Sequence, residues 1–425
     1  MNSNRNAKIN QISGESLVIG IDIAKKTHYA CAVDDRGREL QRPVGFTQSR
    51  AGFEGFHKQI KEWLHQHGKS EVIIGFEPTG HYWMNLAAFL LEEDISFVVV
   101  NPAHVKQSKE FDDNLQTKND KKDARLIAKL MIGGNFSYPR IPEGIEAELK
   151  NGSITRWKLK DKQAMLKNQM TGLIDQYFPE FKTVIKGFGQ LACAILKYTP
   201  FPEDLLNQEV EELALMYKEK AGISSPSKSK IREMKRAAEN SIGISTGKEV
   251  ARFEIAALVD QFLLIERQLT ELNHHLEDLV TQLDEYEYLI SIPGIGKHTI
   301  IDLIAETGSL KQYTHSRQLI KLAGLTLREN SSGYHKGQKK ISKRGRKRLR
   351  NLLFRAILPL IQNNRAFKEL YQYYITRPVN PLKKKEAMVV LCGKLLKIFF
   401  GLSNRQVHFN EDRMKQDLHC LQQAA

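Results

Sequence analysis

An α/β layer joined to two further, helical regions is the fold class this sequence predicts, and three observations predict it. Short apolar runs alternate with amphipathic stretches over the first 142 residues. Long, charge-rich amphipathic stretches follow, and from Tyr288 onward apolar helical segments are pinched by a glycine-rich turn. Strands alternating with helices build layered α/β domains, whereas a 3.6-residue period sustained over tens of residues builds long helices. The chain therefore divides into an α/β domain over 1–142, a helical linker over 143–287 and a mostly helical C-terminal domain over 288–425.

In the first region the run from Leu17 to Ala24 reads as a buried strand, with His28 to Asp34 as its hairpin partner across a short Lys-Lys-Thr turn. A helix is predicted from about Ser49 to His67, then a strand from Glu71 to Phe76, a helix from about Gly80 to Glu92 and a strand from Ser96 to Val100. Asn101-Pro102 ends that strand, and another helix is expected from near Asn119 to about Met131. In the middle region, Ile145 to Tyr177 and Lys248 to Leu283 read as helical hairpins or coiled coil, separated by a Ser/Lys-rich connector at 224–230. Such a module serves as an arm or oligomerisation surface, or is a plain helical subdomain. In the third region two helical segments meet at Pro293-Gly294-Ile295-Gly296. Glycine frees the backbone to turn, and a helix opened there offers amides to phosphate, as helix-hairpin-helix modules do. Gly294 and Gly296 are thus candidate contacts to a DNA backbone; a simple helix-helix turn is the plainer reading.

With 425 residues, 41% of them apolar, the chain is long enough for several folded cores. Its 64 Lys and Arg against 49 Asp and Glu give +15, which favours a polyanionic partner through counterion release and argues against a small acidic substrate. Nucleic acid is the leading candidate. Cys31, Cys193, Cys392 and Cys420 are far apart with no CxxC spacing, so neither zinc knuckle nor disulfide framework is indicated, in keeping with a reducing cytosol. The most membrane-like run, Val389 to Leu402, is interrupted by Lys394 and Lys397 and reads as a buried helix. The polar N-terminus lacks an apolar signal core. No membrane association is expected.

Two constellations carry chemistry. Asp22 sits in an otherwise buried strand, Glu77 follows directly on Val72-Ile73-Ile74-Gly75-Phe76, and Asp120 and Asp123 open a helix at a spacing that puts both on one face. Burying an unpaired carboxylate is costly, so such acids need a metal, a cation or solvent. Four hard oxygen donors suit a divalent ion such as magnesium, whose usual work is on phosphates. The second constellation begins at Glu329-Asn330-Ser331-Ser332-Gly333 and continues through Arg350. It holds nine cations and no acid after Gly333: Lys336, Lys339, Lys340, Lys343, Arg344, Arg346, Lys347, Arg348 and Arg350. That bias marks a phosphate-backbone footprint, although a solvated helix face has the same composition. A lone Ser-Gly pair is, by composition, an ordinary turn.

Taken in order, GIDIAKKTH, GFEPTGHYW, NPAHVKQ, TKNDKKDARLIAKL, IPGIG and SSGYHKGQKKISKRGRKRLRNLL make the chain resemble the DEDD transposases of the insertion sequence one-ten family, relatives of the Piv-type DNA invertases. The resemblance spans nearly the whole chain. It implies an N-terminal RuvC-like domain of RNase H fold, a coiled-coil linker and a C-terminal transposase domain. It further implies that Asp22, Glu77, Asp120 and Asp123 hold Mg2+ and that a C-terminal serine becomes covalently linked to DNA. Ser332, which precedes Gly333, matches the family's Ser-Gly pattern, with Ser331 directly adjacent. The same resemblance implies double-stranded DNA partners at element ends and target, a noncoding guide RNA, and dimers or tetramers in which the serine of one protomer completes the acidic site of another. A cytoplasmic, nucleoid-associated prokaryotic protein is the corresponding location. Two rival readings share these residues: a RuvC-like nuclease that resolves branched DNA by water attack, and a nucleic-acid-binding protein without catalysis.

Overall fold

The computed structural model describes residues 3–414 apart from 79, 113–119, 329–330, 333–334 and 337–339. It divides into two compact units, Met1–Ile141 and Pro142–Ala425.

The first unit runs α1 (Ser3–Ile9), β1 (Ser16–Asp22), β2 (Thr27–Val33), β3 (Val44–Thr47), α2 (Arg50–Gln66), β4 (Glu71–Phe76), α3 (Trp83–Glu92), β5 (Phe97–Val100), α4 (Pro102–Asp112), α5 (Asp120–Ile132) and β6 (Phe136–Ser137). Its sheet has the order β3-β2-β1-β4-β5-β6. The β1, β2 and β3 ladders are antiparallel, β1, β4 and β5 run parallel, and β6 returns antiparallel. Side chains alternate between the two faces of a strand. On one face Leu17, Ile19, Ile21, Ile74 and Phe76 form a core with Phe53, Phe56 and Trp63 of α2 and with Leu86 and Leu90 of α3. On the other, Val18 and Val98 meet Ala124, Ile127, Ala128 and Met131 of α5.

The sequence reading and the observed elements differ at a few ends. Strand β1 stops at Asp22 rather than Ala24, whose amide is taken by the ring of His28 instead of the ladder. Helix α3 starts at Trp83 rather than Gly80, because Gly80 has φ +66°, outside the right-handed helical region. Strand β3 was not anticipated: four residues, VGFT, are too few to display a period. The start expected for α5 at Asn119 lies outside the described residues.

The second unit contains α6 (Gly144–Tyr177), α7 (Phe181–Val184), α8 (Gln190–Tyr198), α9 (Pro202–Leu206), α10 (Val210–Ala221), α11 (Lys228–Glu239), α12 (Lys248–Thr281), α13 (Tyr286–Ile290), α14 (Lys297–Thr307) and α15 (Ser316–Leu322). The short strands β7 (Leu327–Arg328), β8 (Ser331–Ser332), β9 (His335–Lys336) and β10 (Lys340–Ile341) follow, then α16 (Lys347–Asn363), α17 (Arg365–Thr376) and α18 (Lys384–Arg405). Helices α6 and α12 each span 34 residues and lie antiparallel. Gln163 bonds Glu266 at 2.7 Å, while a Cβ at Gly152 would meet Leu276 Cδ2 at 2.3 Å. One end of this pair shares a core with α7 to α11 through Met170, Ile174, Tyr217 and Phe262. The other shares a core with α13 to α18 through Leu149, Leu276, Leu303, Leu353 and Phe399. The run Val389 to Leu402 falls inside α18, whose Leu391, Leu395 and Phe399 are fully buried. Among the described residues no helix is long and apolar enough to cross a membrane.

Candidate active site

Strand parity decides which way the first two acids point. In β1, Val18, Gly20 and Asp22 share one face; in β4, Ile73 and Gly75 share it, and Glu77 continues the alternation one residue past the strand. The parallel register pairs Gly20 with Gly75 and Ile21 with Phe76, so Asp22 and Glu77 stand side by side at the carboxyl ends of neighbouring strands. Parallel sheets place their sites at such ends. Helix α5 crosses this same face, and the two glycines make room for it. A Cβ on Gly20 would lie 2.2 Å from the Ala124 carbonyl and 2.5 Å from the Ala128 nitrogen; one on Gly75 would lie 2.3 Å from Met131 Sδ. Ala124 packs on Gly20, two residues before Asp22, and Asp120 and Asp123 precede Ala124 in the first turn of this helix. Sequence reasoning singled out the four acids but not the glycine pair, although an isolated glycine inside a strand marks close backbone approach.

The donor chemistry fits a hard divalent cation, since all four groups are carboxylates, two at one sheet end and two in the first turn of the helix packed on that face. As the side chains stand, no three of the His, Cys, Asp or Glu among the described residues are gathered closely enough to hold a metal ion. What the fold supplies is the convergence of the backbones that carry them.

Two residues that sequence reasoning passed over hold the loops beyond the acids. His28 is fully buried on β2, its Nδ1 accepts the Ala24 amide at 3.1 Å, and its Nε2–H donates to Gln48 Oε1. Gln48 Nε2 then donates to the Tyr82 carbonyl at 2.9 Å. The turn after Asp22 is thereby tied to the segment after Glu77. The tie requires neutral His28, because a protonated Nδ1 cannot accept. Burial lowers its pKa below the ordinary value, an effect the Gln48 hydrogen bond opposes in part. The unfolded chain therefore binds the proton first as pH falls, and stability is fully present above about pH 6.5 and lost below it. His28→Phe is expected to lower the melting temperature at pH 8, with the gap to the wild type narrowing toward pH 5.5; a pH-independent gap would count against the tie.

In the second unit, β8 pairs with β9 so that Ser332 stands opposite His335 and Ser331 opposite Lys336. Lys339 lies outside the described residues. Lys340 belongs to β10, paired with β7, and α16 opens at Lys347 with no acid in its first turn. Cations there oppose the helix dipole, so local helix stability does not explain them. Lys340, Lys343, Arg344 and Lys347 are exposed. Three others also fasten the fold: Arg346 donates to the Glu306 carbonyl, Arg348 to the Ser153 carbonyl at 3.3 Å, and Arg350 to the Ala323 carbonyl at 2.8 Å. The glycine pinch joins α13 to α14, with Gly294 at φ +96° and Asn364 Nδ2 bonded to the Pro293 carbonyl at 3.2 Å. Glu277 pairs with Lys297 at 3.1 Å and approaches His298 at 3.6 Å, so a carboxylate already attends the first turn of α14.

The first unit thus presents two acids at a sheet end beside a helix that opens with two more, and the second a cation-rich hairpin and helix start. Residues 19–179 match the DEDD transposase model of the IS110 group, described as a transposase, and residues 286–372 match the transposase IS116/IS110/IS902 family. The chain belongs to this IS110-type transposase family, and transposases are enzymes that cut and rejoin DNA. It is 23% identical over 403 residues to the pilin gene-inverting protein of Moraxella lacunata, covering 92% of this chain and 97% of that one. It is also 23% identical over 401 residues to the transposase for insertion sequence element IS1111A of Coxiella burnetii, covering 92% and 90%. A third relative, the transposase for insertion sequence element IS1328 of Yersinia enterocolitica, is 32% identical over 161 residues, 36% of this chain and 44% of that one.

Proposed function

We propose that this chain is the recombinase of a mobile element, cutting and rejoining DNA through a phosphoserine intermediate at Ser332. The observation that carries the reading is the placement of Asp22 and Glu77 side by side on the face crossed by the acid-bearing helix α5. The sheet order β3-β2-β1-β4-β5, with β2 antiparallel to β1, supports reading 1–142 as a RuvC-like domain of RNase H fold, followed by a coiled-coil linker over 143–287 and a transposase domain over 288–425 whose glycine pinch acts as a helix-hairpin-helix element.

Asp22, Glu77, Asp120 and Asp123 would hold magnesium. When bound, that ion neutralises phosphate charge and lowers the pKa of a coordinated hydroxyl. The serine oxygen replaces one deoxyribose oxygen on phosphorus, its proton leaves, and the displaced oxygen departs as a hydroxyl. One phosphodiester is exchanged for another, so rejoining needs no external energy source. The exposed cations from Lys340 to Lys347 track the backbones of double-stranded element ends and target. A noncoding RNA guides the choice of ends, and the protein works as a homodimer or homotetramer in the cytoplasm on nucleoid DNA.

Covalent trapping with labelled element ends tests this. Ser332→Ala is expected to abolish the protein–DNA adduct and Ser331→Ala to retain it. The reverse pattern would move the nucleophile to Ser331. Cleavage that releases free phosphate ends from both variants, with no adduct, would replace the serine mechanism by water attack.

A further inference from the structure

A cavity of about 460 Å³ opens in the second unit where α6, α12, α14 and α16 meet, and neither Ser332 nor any of the four acids lines it. Its size suits a single nucleotide, within the range of small-ligand sites. One wall is an aromatic face, Trp157, whose ring is 51% exposed. The Arg348 guanidinium sits 5.4 Å from its ring centroid and is itself held by the Ser153 carbonyl and by Glu306 at 3.7 Å. Arg156, 9% exposed, pairs with Asp302 at 2.5 Å, and Ser153 Oγ donates to the same carboxylate at 2.6 Å. These contacts fix the floor before any ligand arrives.

Two further observations point outward from that floor. Asn273 Oδ1 is buried in the wall with no hydrogen-bond partner among the described residues, an acceptor open to a donor. Lys160 and Arg355 line the cavity as exposed cations facing one exposed acid, Asp161, once Arg156 and Arg348 are set against Asp302 and Glu306. A stacking ring, a lone acceptor and two cations form the complement of an unpaired nucleotide: a base with N–H donors attached to phosphate.

We infer that this cavity receives one flipped or unpaired nucleotide of a single-stranded nucleic acid, stacked on Trp157, with its base donating to Asn273 and its phosphate between Lys160 and Arg355. The inference rests on the nucleic-acid reading above but not on the serine chemistry. DNA opened during strand exchange and an RNA strand present the same chemistry, and the test separates them.

The full-length protein carrying Ser332→Ala is titrated into short fluorescein-labelled single strands of DNA and of RNA, and into a blunt duplex. Trp157→Ala is expected to weaken single-strand binding about tenfold, and Trp157→Phe to restore most of it. Lys160→Gln and Arg355→Gln are each expected to lower the salt slope by about 0.7. Both lie on the surface, so they probe the site even if Trp157→Ala disturbs packing. A loss confined to DNA or to RNA identifies the source and upholds the site. Unchanged single-strand affinity in all these variants, or equal weakening on the fully paired duplex, overturns it. Adduct formation by the Ser332-containing protein is measured separately, so failure of the serine reading leaves this outcome distinguishable.

Discussion

Asp22→Asn is expected to reduce strand cleavage by a thousandfold or more while leaving the chain folded. A metal-held phosphoryl centre gains several kcal/mol of charge stabilisation, and each 1.36 kcal/mol is about a factor of ten in rate. The substitution keeps the shape of the side chain and removes one negative charge from a sheet end where Glu77 is the neighbour on the next strand. The response to magnesium is the sharper reading. A ligand that binds only the folded state raises stability with its concentration, so the wild type should melt higher as magnesium is added and Asp22→Asn should respond far less. Cleavage within a factor of ten of the wild type, or an undiminished magnesium response, would remove Asp22 from the site. Glu77→Gln is expected to behave alike.

Gly20→Ala should be nearly as damaging by a different route. The new Cβ would sit 2.2 Å and 2.5 Å from two backbone atoms of α5, which no side-chain rotation can relieve. Restoring ordinary contact requires the helix to move by about 1 Å. Overpacking of a filled core costs about 1–3 kcal/mol, and a displacement of about 1 Å at reacting groups can cost about a hundredfold in rate. The helix that moves is the one that carries Asp120 and Asp123. Gly55→Ala is the matched control, because Gly55 is exposed inside α2 with open space where its Cβ would go, and it should be neutral or stabilising. Equal melting temperatures and activities for Gly20→Ala and the wild type would show that α5 does not depend on that groove.

The long helices were readable because burial repeats every three to four residues over their length, as with Leu166, Met170 and Ile174 in α6. The central strands were readable because LVIGI is buried on both faces and VIIGF is buried or half-buried throughout, so both are continuously apolar. Strand β3 and helix α4 were not, since a four-residue edge strand and a helix of low amphipathicity leave no period to count. The acids stood out as charges at the ends of apolar runs. His28 and Gln48 did not, because their importance lies in hydrogen bonds across 20 and 34 residues of chain, to each other and to Tyr82.

Residue types and their order alone determined the α/β start, the helical remainder, the positive charge, the four carboxylates and the family to which they belong. Only the tertiary structure decided that Asp22 and Glu77 share a face and an end, that α5 is seated on Gly20 and Gly75, that His28 is an acceptor held neutral, and that Trp157 borders a cavity. The physical reason is that charge and periodicity are properties of local sequence, whereas parity between strands, close backbone approach and a cavity wall exist only once segments far apart in the chain have been packed together.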